Sequence, residues 1–381
     1  MPFLLVLGKI DLINRIIHTQ KLVNILSKIY PNLIVLVEDI SPAWKSYFHE
    51  QVIKYSQTSY IYMEINKSFL QKIRPLLIRD IFTSLVIAIT LKKIVRSGLN
   101  NDRIIFVKGF NASLVLLLKL LGYRVVQFAG GFGSVTLKGV RKYWLLLKEL
   151  LLLKIIDLII LETSTASTYY TFLQRFKQKI FPYGALYVDD EFKVIKPLEK
   201  REPIIGYVGA LTHQKGVIQL LLAMNILKSN NIKLLIIGNG PLKNQLSIMV
   251  KKLSLEDRVL FLGTIPHLHL PYYLNEMKLL VLPSLCGEGL PNVIIEAMAC
   301  GTPVLATPVG GIPDVIKDNE TGFILVSTEP SKIAAKINEL LAKDLRELQK
   351  VVNNALNYID RNYRLQAAIK RYKLISKYLK A

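Results

Sequence analysis

Residues 287–304 restrict the fold of this chain more than any other segment. They place two carboxylates, Glu288 and Glu296, eight residues apart, the first in a glycine-rich loop and the second within an otherwise apolar run. Pro291 is typical of a first helical position, and Gly301 is typical of the residue just past a helix end. A short helix that is apolar nearly all round is usually buried. Glu296 is therefore predicted to be a buried charge that needs a partner.

Two interpretations of Glu296 follow from this spacing. A vicinal diol such as a ribose can donate two hydrogen bonds to a carboxylate. The glycines of the preceding loop would let backbone N–H groups approach an anion at the helix N-terminus. Together these features describe a nucleotide-sugar pocket. The alternative is a structural helix in which the buried Glu pairs with a nearby Lys, and spacing alone leaves both open.

Further motifs follow one another across residues 204–326. They are GYVGALTHQKG from Gly206, LLIIGNGP from Leu234, VLFLG from Val259, VLPS from Val281 and GGIPDVI from Gly310. With the two spaced glutamates, this order resembles the E-x7-E signature and associated motifs of the family 4 (group 1) glycosyltransferases. The resemblance implies a retaining, metal-independent enzyme. Several motifs in order are more specific than any single glycine pattern.

The resemblance also implies an α/β fold of the GT-B type, with two Rossmann-like domains whose parallel sheets face an interdomain cleft. Short apolar runs that alternate with longer helical patterns favour parallel sheets independently. We expect an N-terminal acceptor-side domain over 1–183, a linker over 184–203, a nucleotide-sugar-binding domain over 204–350 and a C-terminal helix over 351–381 that returns to the first domain. The strands predicted for the first half are 3–7, 33–37, 104–107, 124–128, 158–161 and 179–181.

Roles for individual residues come from the same resemblance. Lys215 would neutralise the donor diphosphate and Glu288 would contact the donor sugar, so these two are the predicted catalytic residues. Glu296 would hold the nucleotide ribose. A cation beside the departing phosphate stabilises its charge without a metal; the alternative for Lys215 is a solvated loop lysine. The other predicted donor contacts are Gly8, Gly209, Gly263, Ile265, Gly289, Leu290, Pro291 and Asn292.

No cofactor is predicted besides the nucleoside-diphosphate sugar, which is a substrate. The chain has no D-x-D motif, and its five histidines form no H-E-x-x-H or related ligand pattern. We interpret His267 and His269 as polar loop residues.

Two positions depart from the family pattern. Ala210 stands where the family usually has a second phosphate-binding arginine, and the histidine expected in the first domain is absent. These departures support a second hypothesis, a degenerate and non-catalytic GT-B subunit that binds a nucleotide sugar or a partner enzyme. A nucleotide-sugar epimerase on the same fold is a third, which the E-x7-E run disfavours.

The chain is strongly basic, with a formal net charge of +22, and residues 1–200 carry 28 Lys and Arg against 14 Asp and Glu. Such a surface can attract nucleic acid, anionic lipid or phosphorylated substrates, and a compositional bias toward solvated lysines explains it equally well. Nucleic acid is not a predicted partner, because no RNA-binding signature accompanies the charge. The predicted helix Val140–Ile155 carries basic, aromatic and leucine residues. We interpret it either as a peripheral contact with anionic membrane or as a core helix.

The predicted partners are a nucleotide sugar and a glycan or lipid-linked acceptor. The first residues lack a basic leader and are predicted to form a buried strand, and no uncharged apolar run reaches the roughly 18 residues of a spanning helix. Two cysteines, Cys286 and Cys300, do not make a disulfide framework. We therefore expect a cytoplasmic protein, located at the inner face of the membrane if its basic helix binds lipid.

Overall fold

The computed structural model divides the chain into two compact units, one formed by residues 1–186 with 368–381 and the other by residues 187–367. Each unit contains one parallel sheet. The residues that the structure describes are 4–7, 21–26, 28–29, 34–37, 60–62, 104–108, 112–129, 140–161, 171–181, 184, 186–227, 231–286 and 289–380.

The first unit has a seven-stranded sheet in the order β3-β2-β1-β4-β5-β6-β7. Its strands are β1 Leu4–Leu7, β2 Ile34–Val37, β3 Tyr60–Tyr62, β4 Ile104–Lys108, β5 Arg124–Ala129, β6 Leu158–Leu161 and β7 Ile180–Phe181. The helices α1 Ala112–Leu120 and α2 Val140–Ile155 pack against each other. Parallel strands are covered on both faces, which is why they read as continuous apolar runs.

The strands predicted for the first half agree with the structure to within a residue at each end, and α2 has the predicted bounds. β3 was not predicted, because its three residues follow a polar stretch and are too few to show a period.

The second unit has a six-stranded sheet in the order β10-β9-β8-β11-β12-β13. Its strands are β8 Ile204–Val208, β9 Lys233–Ile237, β10 Val259–Gly263, β11 Leu279–Leu282, β12 Val304–Ala306 and β13 Phe323–Ile324. Its helices are α3 Val217–Ile226, α4 Lys243–Lys252, α5 Leu270–Glu276, α6 Asn292–Ala299, α7 Ile312–Val315, α8 Pro330–Ala342 and α9 Leu345–Asn362.

The strand order of the second sheet fixes where a ligand can bind. β8 lies between β9 and β11, so the chain builds the sheet outward from β8 in one direction and then, from β11, in the other. In open parallel sheets such a topological switch point leaves a crevice beyond the carboxyl ends of the strands. The loops that follow β8 and β11 are therefore the first place to look for a site.

Residues 187–203, predicted as a linker, belong to the second unit. Arg201 is buried and donates to the carbonyls of Lys196 and Cys300 at 2.9 and 2.7 Å. Burial lowers the pKa of Arg201 to about 10, so the guanidinium remains charged at neutral pH. The side-chain oxygen of Asn275 accepts from the amide of Ile195 at 2.7 Å and so holds the same segment.

The C-terminal region consists of two helices where one was predicted. α9 ends at Asn362, and α10 covers Leu365–Lys380. Within the first unit, the ring of Tyr372 stacks on Phe128 with centroids 6.3 Å apart. Among the described residues, no helix has both the length and the apolar character needed to cross a bilayer.

Candidate active site

Helix α6 is anchored at its C-terminus by backbone hydrogen bonds. Gly301 adopts a left-handed conformation with φ +68°, its amide donates to Met298, and the amide of Thr302 donates to Ala297. This is a Schellman motif, and it confirms the predicted place of Gly301. The guanidinium of Arg201 also bonds the Cys300 carbonyl, a favourable place for a cation at a helix C-terminus.

The N-terminus of α6 differs from the prediction by one residue. Pro291 is the N-cap, because its ψ of 123° is extended and the helix begins at Asn292. Among the described residues, no side chain caps the first amides of this helix. Backbone N–H groups without an intrahelical partner, together with the helix dipole, make such an end suitable for an anion.

Glu296 is buried, with 3% of its surface exposed, on a helix whose residues from Val293 to Ala299 are all buried. This confirms the predicted buried charge. Its Oε1 lies 3.0 Å from Nε2 of His267. Within the described part of the chain this imidazole is the side-chain partner of the carboxylate, so the alternative of a Lys partner is wrong there.

His267 was not predicted as a functional residue. It begins a short 3₁₀ turn, His267–His269, in the connection after β10, and its ring packs at 5.1 Å from the ring of Phe192. The interpretation of His267 as a polar loop residue did not include its contact with Glu296. Only its position after a strand of the same sheet as the glutamate motif hints at the contact, because loops after parallel strands meet at one edge.

The loops after β8 and β11 are joined to each other at the switch point. The amide of Leu285 donates to the carbonyl of Gln214 at 2.8 Å. Gly216 has φ +67°, and a side chain there would collide with the carbonyl of Pro283. Lys215 lies between Gln214 and Gly216, ends the 3₁₀ turn His213–Lys215 and is half-buried. The sequence therefore brings Lys215 to the same edge as the glutamate motif.

The loop after β12 is hydrogen-bonded to the loop after β11. Thr307 donates its hydroxyl to the carbonyl of Ser284 at 2.8 Å, and the amide of Gly311 donates to the carbonyl of Gly289 at 3.2 Å. The hydrogen bond from Gly311 therefore fixes the backbone at Gly289 relative to the loop after β12. Leu290 is buried next to it.

The loops after β9 and β10 complete this edge. The amide of Gly238 donates to the carbonyl of Gly263 at 2.8 Å, and a side chain on Gly238 would collide with the carbonyl of Gly209. Ile265 is half-buried two residues beyond Gly263. Ala210 is exposed, and its carbonyl accepts from the Tyr207 hydroxyl at 2.8 Å.

Most of the predicted site residues thus lie at the carboxyl edge of the second sheet or at the start of α6. Two of them, Gly8 and Glu288, lie outside the described residues. The residues placed at this edge or in α6 are Gly209, Lys215, Gly263, Ile265, Gly289, Leu290, Pro291, Asn292 and Glu296.

The Cys300 thiol lies close to this charge. Burial raises the pKa of Cys300 to about 12, with a smaller contribution in the same direction from Glu296. The thiol is therefore neutral at physiological pH and is unsuited to act as a nucleophile. The described residues contain no group of three or more His, Cys, Asp and Glu side chains arranged to hold a metal ion.

Comparison with known proteins identifies the domain that carries this edge. Residues 188–358 match the family model described as glycosyl transferases group 1. This part of the chain is similar to the group 1 glycosyltransferases. The predicted resemblance to the group 1 glycosyltransferases is confirmed for this region of the chain.

Curated relatives match over the second unit. An uncharacterized glycosyltransferase of Methanocaldococcus jannaschii is 34% identical over 163 residues, which are 42% of this chain and 41% of that protein. The N-acetyl-alpha-D-glucosaminyl L-malate synthase of Bacillus anthracis is 30% identical over 179 residues, 47% of this chain and 46% of that protein. The chain thus matches less than half the length of these relatives.

A solved structure resembles the chain over nearly its whole length. The crystal structure of HepE from Anabaena in complex with UDP has a TM-score of 0.76 at 17% identity, and the match covers 98% of this chain and 99% of that one. At this identity the likeness concerns the fold. Together with the two parallel sheets, it confirms the predicted GT-B fold class.

Proposed function

We propose that this group 1 glycosyltransferase moves a sugar from a nucleoside-diphosphate sugar to a glycan or lipid-linked acceptor, with retention of configuration and without a metal or other cofactor. The observation that carries the proposal is the placement of Glu296. This carboxylate is buried in the middle of α6, the helix that follows β11, one of the two strands at the switch point of the second sheet. A buried carboxylate there suits the paired hydroxyls of a ribose.

The donor diphosphate would bind between the start of α6 and the loop after β8. The first amides of α6 offer hydrogen-bond donors and the positive end of a helix dipole. Lys215 adds a cation from the neighbouring loop, which is fastened to the loop after β11. The anion would then be held from two sides. HepE was crystallised with UDP, so UDP is the first nucleotide to test.

The chemistry follows from charge development at the donor. As the bond from the anomeric carbon to the diphosphate breaks, negative charge collects on the phosphate, where Lys215 and the α6 amides would stabilise it. Glu288, by its place in the family motif, would contact the sugar or stabilise positive charge at the anomeric carbon. The departing phosphate would assist in deprotonating the acceptor hydroxyl on the same face, which retains the configuration.

The competing hypothesis is a non-catalytic subunit, supported by Ala210 in place of the family arginine. Release of nucleoside diphosphate from UDP-, GDP- or ADP-sugars separates the two. We expect steady release by the purified chain and its loss in Glu288→Ala, because removing a group that stabilises the transition state commonly lowers the rate about 10²- to 10³-fold. Binding of a nucleotide without turnover would favour the non-catalytic subunit.

We also propose that the first unit contacts an anionic membrane at its inner face, which suits a lipid-linked acceptor. Tyr143, Leu147 and Leu151 are exposed at successive four-residue intervals, so they form one stripe on α2. The adjacent helix α1 exposes Leu116 and Leu120 in the same way. Four basic residues lie along α2, and its one acidic residue, Glu149, is buried. An apolar stripe with basic neighbours is the composition that binds anionic lipid surfaces.

Sedimentation with vesicles tests this contact. We expect the chain to pellet with phosphatidylglycerol-containing vesicles at low salt, and a triple change to Ser at Tyr143, Leu147 and Leu151 to reduce the bound fraction at least about tenfold, since each buried apolar side chain contributes about 1.5–3 kcal/mol. Ile248→Ser, at an exposed apolar residue of α4 in the second unit, is the control. Equal binding by the triple variant and the wild type would contradict the membrane contact.

A further inference from the structure

The Glu296 carboxylate depends on a single imidazole for compensation within the described residues. Its side chain is 4% exposed, so water has largely been removed from it. Desolvation disfavours an ionised carboxylate unless a hydrogen bond or a charge compensates. Nε2 of His267, 3.0 Å from Oε1, supplies that compensation.

The geometry leaves half of the carboxylate available for a ligand. The contact uses Oε1, while Oε2 retains its own lone pairs for hydroxyl donors. The His267 ring packs against Phe192, which restricts its orientation. Its side chain is nevertheless 35% exposed, so the pair lies near the surface of the unit.

The other ionisable groups nearby do not replace His267. Arg201 and Arg364 both act on the Cys300 thiol, one turn beyond Glu296 at the C-cap of α6. Arg201 is engaged by the carbonyls of Lys196 and Cys300, and Arg364 by Asp360 and the carbonyls of Asp189 and Phe192. Three elements pack against α6: α5, α9 and β12. α5 carries Glu276, which pairs with Lys196, and β12 is uncharged. The buried face of α9 is apolar, formed by Leu348, Val351, Val352, Ala355 and Ile359.

We propose that His267 is a positioning residue for the nucleotide, which orients the Glu296 carboxylate so that Oε2 accepts from the ribose hydroxyls. The inference rests on the proposed function and adds a residue that acts on the ribose through Glu296. The imidazolium donates its Nε2 hydrogen to Oε1, and so does the neutral tautomer that carries its hydrogen on Nε2.

Removal of the donor has a consequence that a merely structural histidine would not have. In His267→Leu the carboxylate is buried without a donor, so it takes up a proton more readily as the pH falls. A protonated carboxyl group has lost acceptor capacity for the ribose. Nucleotide affinity in this variant should therefore be highest at high pH and should weaken as the pH falls.

Isothermal titration calorimetry with UDP, GDP and ADP between about pH 6 and about pH 8.5 tests this, a range that spans the titration of histidine. The quantity compared is the ratio of variant Kd to wild-type Kd at each pH, which cancels the titration of the nucleotide phosphate itself. For His267→Leu we expect this ratio to rise about tenfold from high to low pH, the effect of protonation over one pH unit. His267→Gln, which retains an N–H donor, should show a ratio that is independent of pH.

Two controls connect the effect to Glu296. His269→Leu, at an exposed histidine of the same 3₁₀ turn, should leave the ratio near one. His267→Leu combined with Glu296→Gln should lose the pH dependence, because no carboxylate remains to be protonated. If His267→Leu does not fold, judged by circular dichroism, His267→Asn is measured in its place, since its shorter amide withdraws the donor and keeps polarity.

The outcomes separate this inference from the proposed function. If the wild type binds a nucleotide and the ratio for His267→Leu does not change with pH, the positioning role is overturned and the nucleotide site stands. Persistence of the pH dependence in the double variant would likewise overturn it. If the wild type binds none of the three nucleotides, the proposed function and this inference fall together.

Discussion

The proposed function of Lys215 depends on where the chain places it. It ends a 3₁₀ turn whose preceding residue, Gln214, is hydrogen-bonded to Leu285 on the neighbouring loop. The following residue, Gly216, is held against Pro283. A lysine on a fastened loop can be pre-organised for a phosphate, and pre-organised charge is what stabilises a transition state.

Lys215→Ala should therefore lower the rate of nucleoside-diphosphate release about 10²- to 10³-fold, since a cation at the leaving group acts mainly in the transition state. The rate would be measured by coupled assay at saturating donor. Lys233→Ala removes an exposed lysine from β9 at the opposite, amino edge of the sheet and should leave the rate unchanged. An unchanged rate in Lys215→Ala would mean that another group neutralises the diphosphate.

Whether the environment of a single residue could be predicted depended on the residues around it in the sequence. Glu296 was predictable as a buried charge because its neighbours along the helix are apolar. Its partner was not, because a lone histidine in a polar loop has no period and the contact joins residues 29 positions apart. Ala210 was visible as a departure from the family motif, and no described residue has been assigned to take the place of the absent arginine.

Among the elements, the loops after β8 and β11 carry the predicted site residues and contact each other at the carboxyl edge of the second sheet. They are joined by backbone contacts that need a residue without a side chain at one point. Gly216 provides it, with a left-handed φ of +67° and the Pro283 carbonyl directly beside it. Gly263 has a similar φ of +68°, but nothing lies within 4 Å of the place where a side chain would be.

This difference predicts unequal costs for the same substitution. Gly263→Ala should cost about 1–2 kcal/mol, the penalty of the left-handed conformation alone. Gly216→Ala bears that penalty and must also separate the two loops, so its unfolding midpoint in urea, followed by circular dichroism, should be lower still. Equal midpoints for the two variants would contradict the tight contact between the loops after β8 and β11.

Element positions were predictable where a period or a terminating residue exists. α2 was predicted with its bounds, and Gly301 marked the end of α6 because only a residue tolerant of left-handed backbone fits a Schellman motif. The start of α6 was predicted one residue too early, at Pro291, because the fixed φ of proline suits the N-cap as well as the first turn. The contacts between loops were beyond prediction, because they depend on backbone geometry rather than side-chain pattern.

At the scale of the whole molecule, both units share one building plan. Each sheet is parallel and reverses its strand order between its first and fourth strands. Residues 368–381 belong to the first unit although they follow the second unit in the chain. The alternation of apolar runs and helices made the fold class predictable, and the ordered motifs pointed to the group 1 domain that matches residues 188–358.

The most direct test of the central claim is nucleoside-diphosphate release by the full chain given UDP-, GDP- and ADP-sugars in separate reactions. The proposed mechanism predicts steady release from at least one donor, with Glu288→Ala and Lys215→Ala each lowering it by about 10²-fold or more and Lys233→Ala leaving it intact. Release that is equally fast in all these variants, or no release from any donor, would contradict it.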